Sequence, residues 1–568
     1  MAKTSRKSVF AVAVAVVAIA ACLTGIRNEF TQDDIAILRD SDVLHDFFRI
    51  GQIVSSPYWP PPYTSDQYRP VTSVFLALQY AIGGPSPLVF RVFSYTLYAA
   101  ASVAVFALAS ELLPLTVALG IALLFAVHPV HVEALTLAVG QAELLVALMG
   151  LLMVRRYLGL RRDQESGEVA TTKQKREWVI LAALYAVASL SKEQGLMLPA
   201  FLVAAELCLV QGRPLRQRLR SQWPGYVVLG CVAAAVLIAR FAVLGAHAVQ
   251  PNVAEALVTK TLAGRAVTML QIVPQWLRLL AWPAHLRADY SPREFVGSSH
   301  FGRAEWFGLA LLLGLLALGW RARRRAPVVT FGLLWLGLAL FPVSNVFIPT
   351  GILIAERTLF LPSIGFLLAV GGAVAYGLQR LETRAVLKPA LAVACLALVI
   401  AGGARSARRM ADWRSSDTLS LASIADSPKS WRVWQSYAES MFRNGQSDDG
   451  VLAYHRAIDL APSPWWPQNA LARHLRALGR DEEAVVELRL SILEHPGQVD
   501  AYPELAAALI ATGNYREAQS LAQNVIRRAG APPIMVWLAH VADSAMTNNV
   551  PAGQIRIGVH TQAQLLAR

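Results

Sequence analysis

Two adjacent carboxylates, Asp33 and Asp34, follow an apolar N-terminal stretch, and four further motifs keep ionisable residues beside apolar sequence. They are Tyr68-Arg69-Pro70, His128-Pro129-Val130-His131-Val132-Glu133, Ser191-Lys192-Glu193 and Ala355-Glu356-Arg357. The carboxylate pair can take a proton from a hydroxyl or hold a divalent cation such as Mg or Mn, with Asp34 the possible ligand. Arg69, Lys192 and Arg357, together with His128 and His131, offer donors to a phosphate at a lipid interface, where lost water strengthens charge-assisted hydrogen bonds. Glu133, Glu193 and Glu356 can steady those cations. Each motif also has a plainer use. Adjacent Asp residues cap helices, a His-x-x-His pair without a third ligand is weak evidence for metal, and Glu356 with Arg357 can be a structural ion pair. What favours chemistry is their accumulation, because charge at membrane depth costs about 2.5 to 3.5 kcal/mol even on lenient scales.

The elements that must position these residues are membrane helices. The chain has 568 residues, of which 55% are apolar and 16% charged, with mean hydropathy +0.43. Soluble domains carry about 25% charged residues, so a soluble enzyme is excluded. Apolar segments occur near residues 9–26, 88–113, 115–127, 135–153, 178–190, 196–210, 226–244, 305–320, 327–347, 359–378 and 385–403. Basic connectors occupy residues 3–7, 155–176, 213–220, 321–325 and 380–388. If all eleven segments span, every one of these connectors falls on the cytoplasmic side, as the positive-inside rule requires. The five motifs then share the opposite face. The net charge of +14 is accounted for by this orientation and predicts no nucleic-acid partner. Residues 1–22 also have the form of a signal peptide ending Ile19-Ala20-Ala21-Cys22, although ten later spans make an export signal unnecessary. Cys22, Cys208, Cys231 and Cys395 lie in apolar stretches and predict no disulfide framework.

Beyond residue 404 the pattern changes. Gly445, Gly479 and Gly513 recur at 34 residues, as do Pro428, Pro462 and Pro496. Trp434, Leu471 and Leu505 mark first helices; Tyr454, Ala457, Ala484, Leu488 and Ala518 mark second ones. This resembles the tetratricopeptide repeat, whose stacked helix pairs bind peptides or helices.

Taken together the motifs resemble those of the transmembrane and tetratricopeptide-repeat glycosyltransferases, GT-C-type relatives of protein O-mannosyltransferases. The match includes Phe125-Ala126-Val127-His128-Pro129-Val130-His131-Val132-Glu133-Ala134 and Ala355-Glu356-Arg357-Thr358-Leu359-Phe360-Leu361-Pro362-Ser363. The resemblance implies transfer of a hexose such as mannose, with inversion, from a polyprenyl- or dolichyl-phosphate donor to an acceptor on the lumenal or periplasmic face. By that resemblance Asp33 and Asp34 are the catalytic acidic pair, Arg69 the Arg-Pro arginine, and His128, His131 and Glu133 the histidine motif. Lys192 with Glu193 and Glu356 with Arg357 match two further motifs. The chain departs from the family at Gln141, where an arginine is usual, and at Thr358, where an aromatic is usual.

The expected fold is all-α, a polytopic GT-C-type membrane domain followed by an α-solenoid. Residues 1–404 form the membrane domain, with residues 27–67 as the first outside loop, 405–429 a linker helix, 430–545 the repeats with a capping helix, and 546–568 a tail. The expected partners are the lipid-linked donor, membrane lipids and an acceptor protein brought by the repeats. Short loops and abundant Ala, Arg and Leu point to a bacterial inner membrane, with the N-terminus cytoplasmic and the active face and repeats periplasmic. The alternatives are a membrane-tethered scaffold without catalysis, a transporter or flippase, and transfer onto a glycan or lipid.

Overall fold

The computed structural model describes residues 2–557 except 62, 64, 65, 167–170, 211–213, 250–252, 291–293, 296, 299 and 381–383. Pro62 of the Pro60-Pro61-Pro62 run, Arg213 of a basic connector and residues 558–568 of the tail therefore lie outside the described residues. The regular structure of the described residues is helical throughout, as an all-α chain requires. It divides between Ala422 and Ser423 into two compact units.

In the first unit each of the eleven apolar segments falls on a helix, and Pro70–Gly83 adds a further short apolar one. Among the described residues, length and composition alone qualify six helices to cross a membrane, or seven if the bent pair Leu115–Ala126 and Pro129–Thr136 counts as one span. The expectation of eleven spans thus exceeds what length and composition license. The reason is physical: several helices are shorter than the roughly 20 residues a bilayer needs, such as Leu198–Cys208, and others, such as Gln141–Glu165, end in charge. The unit is nonetheless an integral membrane domain. The helices Arg303–Ala322 and Arg384–Asp412 present exposed Trp306, Leu313, Leu316, Val393, Leu396 and Ile400, surface that only lipid would leave uncovered by protein.

Other helices are buried deeply and held by small residues. Pro327–Leu340 packs on Phe360–Arg380 through Gly332 and Gly365, where an added Cβ would come within 2.6 Å of the facing backbone. Without a hydrophobic force between helices in lipid, such close approach supplies the dispersion contact that holds the pair. The N-terminal helix Ala2–Cys22 packs Val14, Ala18 and Cys22 into the same core. The last apolar helix continues past residue 404 to Asp412, carrying Arg409 and Met410 into the buried interior.

The second unit contains three helix pairs: Trp431–Arg443 with Ser447–Leu460, Trp465–Ala477 with Asp481–Glu494, and Ala501–Ala511 with Tyr515–Ala529. The helix Pro533–Thr547 closes the stack. Gly445, Gly479 and Gly513 sit between the helices of each pair at φ 76°, 78° and 77°, a left-handed conformation that only glycine adopts without cost. Ala438, Ala472 and Ala506, also 34 apart, are fully buried where helices cross.

Candidate functional site

The site begins at the first loop. Asp34 is fully buried, its Oδ2 accepting from the Ala138 amide at 2.8 Å and its Oδ1 from the Val139 amide at 3.0 Å. Arg91, also fully buried, stands 3.9 Å away and donates to the Glu29 carbonyl at 2.7 Å. Burial raises the Asp34 carboxyl to about 6, against the opposing pull of Arg91 and the two amides. That value marks a carboxylate short of water. Each of its oxygens accepts from one amide, so it fastens the loop to the 138–139 turn. Among the described residues no three His, Cys, Asp or Glu side chains gather as a metal would require.

Asp33 points the other way. Its side chain is 28% exposed and its Oδ2 meets Arg357 Nη2 at 3.2 Å. Arg357 is fixed from behind by Glu133, whose Oε1 accepts from Nη1 at 2.8 Å and whose Oε2 accepts from the Arg357 backbone amide at 2.8 Å. Glu133 lies on the short helix Val132–Thr136, entered through the Pro129 turn, so the histidine motif supplies a carboxylate to this site.

Two further ion pairs complete the constellation. Arg69, at the head of the helix Pro70–Gly83, donates from Nε and Nη2 to Glu193 Oε2 at 3.0 and 2.8 Å. Its guanidinium lies 4.9 Å from the centre of the Tyr58 ring. Lys192 pairs with Glu143 of the helix Gln141–Glu165. Burial lowers the Lys192 ammonium, Glu143 pulls it back up, and Arg69 and Arg357 lower it further. Arg69, Lys192, Arg357 and Asp33 therefore lie within one electrostatic neighbourhood, although their sequence positions span most of the membrane unit.

Three expected residues are placed elsewhere. His128 Nε2 donates to the Leu280 carbonyl at 3.0 Å while its Nδ1 accepts from the Val130 amide at 3.3 Å. A carbonyl only accepts and an amide only donates, so this imidazole is the neutral Nε2–H tautomer. His131 is fully buried between Tyr98, 3.0 Å from Nδ1, and Ser363, 3.0 Å from Nε2. Both histidines have protein partners rather than a face toward the cations. Glu356 is also fully buried; it accepts from the Tyr290 hydroxyl at 2.9 Å and from the Arg287 amide, with Arg409 at 4.0 Å. It joins the 285–290 loop to the last apolar helix and so sets the base on which Arg357 stands.

Gln141 is buried in an amide pair, exchanging hydrogen bonds of 2.7 and 2.8 Å with Gln79 and reaching Ser94 at 3.1 Å. Where an arginine would carry charge, this chain places a neutral, fully partnered group. Arg91, Glu143 and Tyr58 were missed as site residues. Arg91 was findable, since an arginine inside the apolar helix Pro87–Leu112 needs a buried partner; Tyr58 carries no comparable signal.

Comparison with known proteins agrees with the motifs. Residues 65–240 match the family described as dolichyl-phosphate-mannose-protein mannosyltransferase. The chain is 25% identical over 494 residues to the protein O-mannosyl-transferase TMTC3 of Mus musculus, covering 81% of this chain and 52% of that protein. It is 26% identical over 494 residues to TMTC4 of Homo sapiens, covering 77% and 64%, and 31% identical over 147 residues to Tmtc2 of Drosophila melanogaster, covering 25% and 15%. The chain spans about half the length of the curated relatives it matches. The resemblance read from the motifs is thus borne out.

Proposed function

We propose that this chain, similar as it is to protein O-mannosyl-transferases, is an integral-membrane glycosyltransferase that moves a hexose, mannose by analogy, from a polyprenyl-phosphate donor to a protein hydroxyl. The observation that carries the reading is the cluster of Asp33, Arg357 and Glu133 beside Arg69 and Lys192. Asp33 is the general base: it is the member of the acidic pair that reaches water. The acceptor hydroxyl gives its proton to Asp33, its oxygen bonds to the anomeric carbon from the face opposite the phosphate, and the bond from that carbon to the phosphate oxygen breaks. The electron pair leaves on the phosphate, where Arg357, Lys192 and Arg69 meet the charge as it grows. No proton donor is needed for so good a leaving group.

Arg357 bridges the two halves. Glu133 holds it in place and Asp33 shares its other edge, so the base and the departing phosphate are brought to one guanidinium. His128, His131 and Glu356 serve as supports in this reading. We place the site on the periplasmic side of a bacterial inner membrane, a reading that takes all eleven apolar segments as spans for its sidedness and the Ala, Arg and Leu content for its bacterial source.

Intact-protein mass spectrometry of exported proteins tests this in cells carrying wild type, Asp33→Asn, Asp34→Asn or no copy. Loss of a hexose-sized mass in the deletion and in Asp33→Asn, at unchanged membrane-protein level, is expected. Full glycosylation by Asp33→Asn overturns the base assignment. An unchanged protein mass spectrum in the deletion overturns protein as the acceptor and directs attention to glycans or to a scaffold.

A further inference from the structure

The last described segment turns back along the repeats. After the helix Pro533–Thr547 the Val550 amide donates to the Ala545 carbonyl at 3.0 Å. The Tyr515 hydroxyl donates to the carbonyls of Val550 and Pro551 at 3.0 and 3.2 Å, and the Gly553 amide donates to the Ala511 carbonyl at 2.9 Å. Ala552 rests on the third inter-helix turn and Arg556 on the second: a Cβ at Gly513 would lie 2.8 Å from Ala552 Cβ, and one at Gly479 2.6 Å from Arg556 Nη2. Arg476, braced by Glu504 and by Asp481 at 3.6 Å, donates to the Ile557 carbonyl. Ile555 and Ile557 pack into the repeat core.

We propose that the edge formed by these inter-helix turns is a docking surface for a polypeptide segment with a small residue followed four positions later by a cationic one, and that residues 550–557, which turn at Gly553, are its built-in occupant. The contacts define the ligand. Tyr515, Arg476 and the Ala511 carbonyl engage main-chain groups of the segment, not its side chains. The Gly513 turn admits a small side chain. At the Gly479 turn the missing side chain leaves room for a guanidinium, and Asp481 lies within electrostatic reach of Arg556. The surface does not stop there: a Cβ at Gly445 would meet nothing within 4 Å, so the first turn repeats the geometry with no described strap residue upon it. The inference stands on the repeat unit alone and does not depend on the chemistry assigned to the membrane unit.

The test uses the full-length protein in detergent and a fluorescent synthetic peptide of residues 550–557. A strap tethered in cis competes at millimolar effective concentration. A chain ending at Asn549, or carrying Arg556→Glu, should therefore bind the peptide about tenfold more tightly than wild type. Adding Arg476→Ala to either should abolish the gain. If the shortened chain loses its helical melting transition, Arg556→Glu carries the reading. Equal peptide binding by wild type and a folded variant, or a gain that survives Arg476→Ala, overturns the proposal and leaves residues 550–557 as a permanent part of the fold.

Discussion

The membrane unit buries several whole ion pairs, whereas the repeat unit buries Arg476 with Glu504 and Asp481 but carries others at its surface. In the first, Asp34 faces Arg91, Glu206 accepts from Arg161 at 3.0 Å, and Glu356 faces Arg409, with every one of these side chains at least nine-tenths buried. In the second, Arg489 with Glu517 and Arg480 with Glu483 lie at the surface, a third to a half exposed, over a core of Ala, Leu and Tyr. The contrast teaches where each unit is fragile. A buried pair adds little to stability against an apolar replacement, yet breaking it by removing one partner costs about 3 to 5 kcal/mol. A surface pair contributes about 0 to 1 kcal/mol.

The sharpest way to break this comparison is Asp34→Ala. It leaves Arg91 buried without an anion and strips two amides of their acceptor, so a loss of about 3 to 5 kcal/mol is expected. Denaturant unfolding of the purified protein measures it; a midpoint like that of wild type would remove the distinction drawn here. Its neighbour should behave oppositely. Asp33→Asn should lower transfer by about 10² to 10⁴ while changing stability by less than about 1 kcal/mol, since that carboxylate is partly exposed. Transfer to a hydroxyl-bearing peptide and unfolding of the same preparation separate the two effects.

Gly513→Ala and Gly445→Ala sharpen the repeat side. Both force a left-handed Ala, costing about 1 to 2 kcal/mol, but only the first also meets Ala552. The Gly513 variant should be the less stable of the two by thermal melting, and equality would mean that the strap presses on nothing. Lys192 gives a pH signature. Burial lowers its ammonium, so the charge is complete below that lowered value and is lost as pH rises through it, earlier than for an ordinary lysine. The donor KM should climb severalfold on the alkaline side, and Lys192→Arg should flatten the rise. Smallest of all, Arg489→Ala should change stability by less than about 1 kcal/mol, as melting would verify.

Legibility followed the sequence distance of the contacts. The repeat unit is built from contacts that return every 34 residues, and the turn glycines and the buried Ala457, Ala484 and Ala518 are legible in the sequence, whereas Ala438, Ala472 and Ala506 emerge only from the packing. The membrane site is built from pairs far apart: Arg357 with Glu133 at 224 residues, Arg69 with Glu193 at 124, Asp34 with Ala138 at 104. Residue type marked these positions, because charge beside apolar sequence demands a reason, yet type alone cannot say which carboxylate meets which cation. Hence His128 and His131, promising as phosphate donors, turn out to have protein partners, and Glu143, passed over, is the partner of Lys192.

By itself the sequence determined an all-α membrane chain with a helical-repeat unit, motifs that resemble those of the tetratricopeptide-repeat glycosyltransferases, and the positions where charge had to be explained. Only the tertiary structure distinguished the surroundings of Asp33 from those of Asp34. The two are adjacent and chemically identical, and what separates them is the 138–139 turn, which takes both oxygens of one out of water and leaves the other facing Arg357.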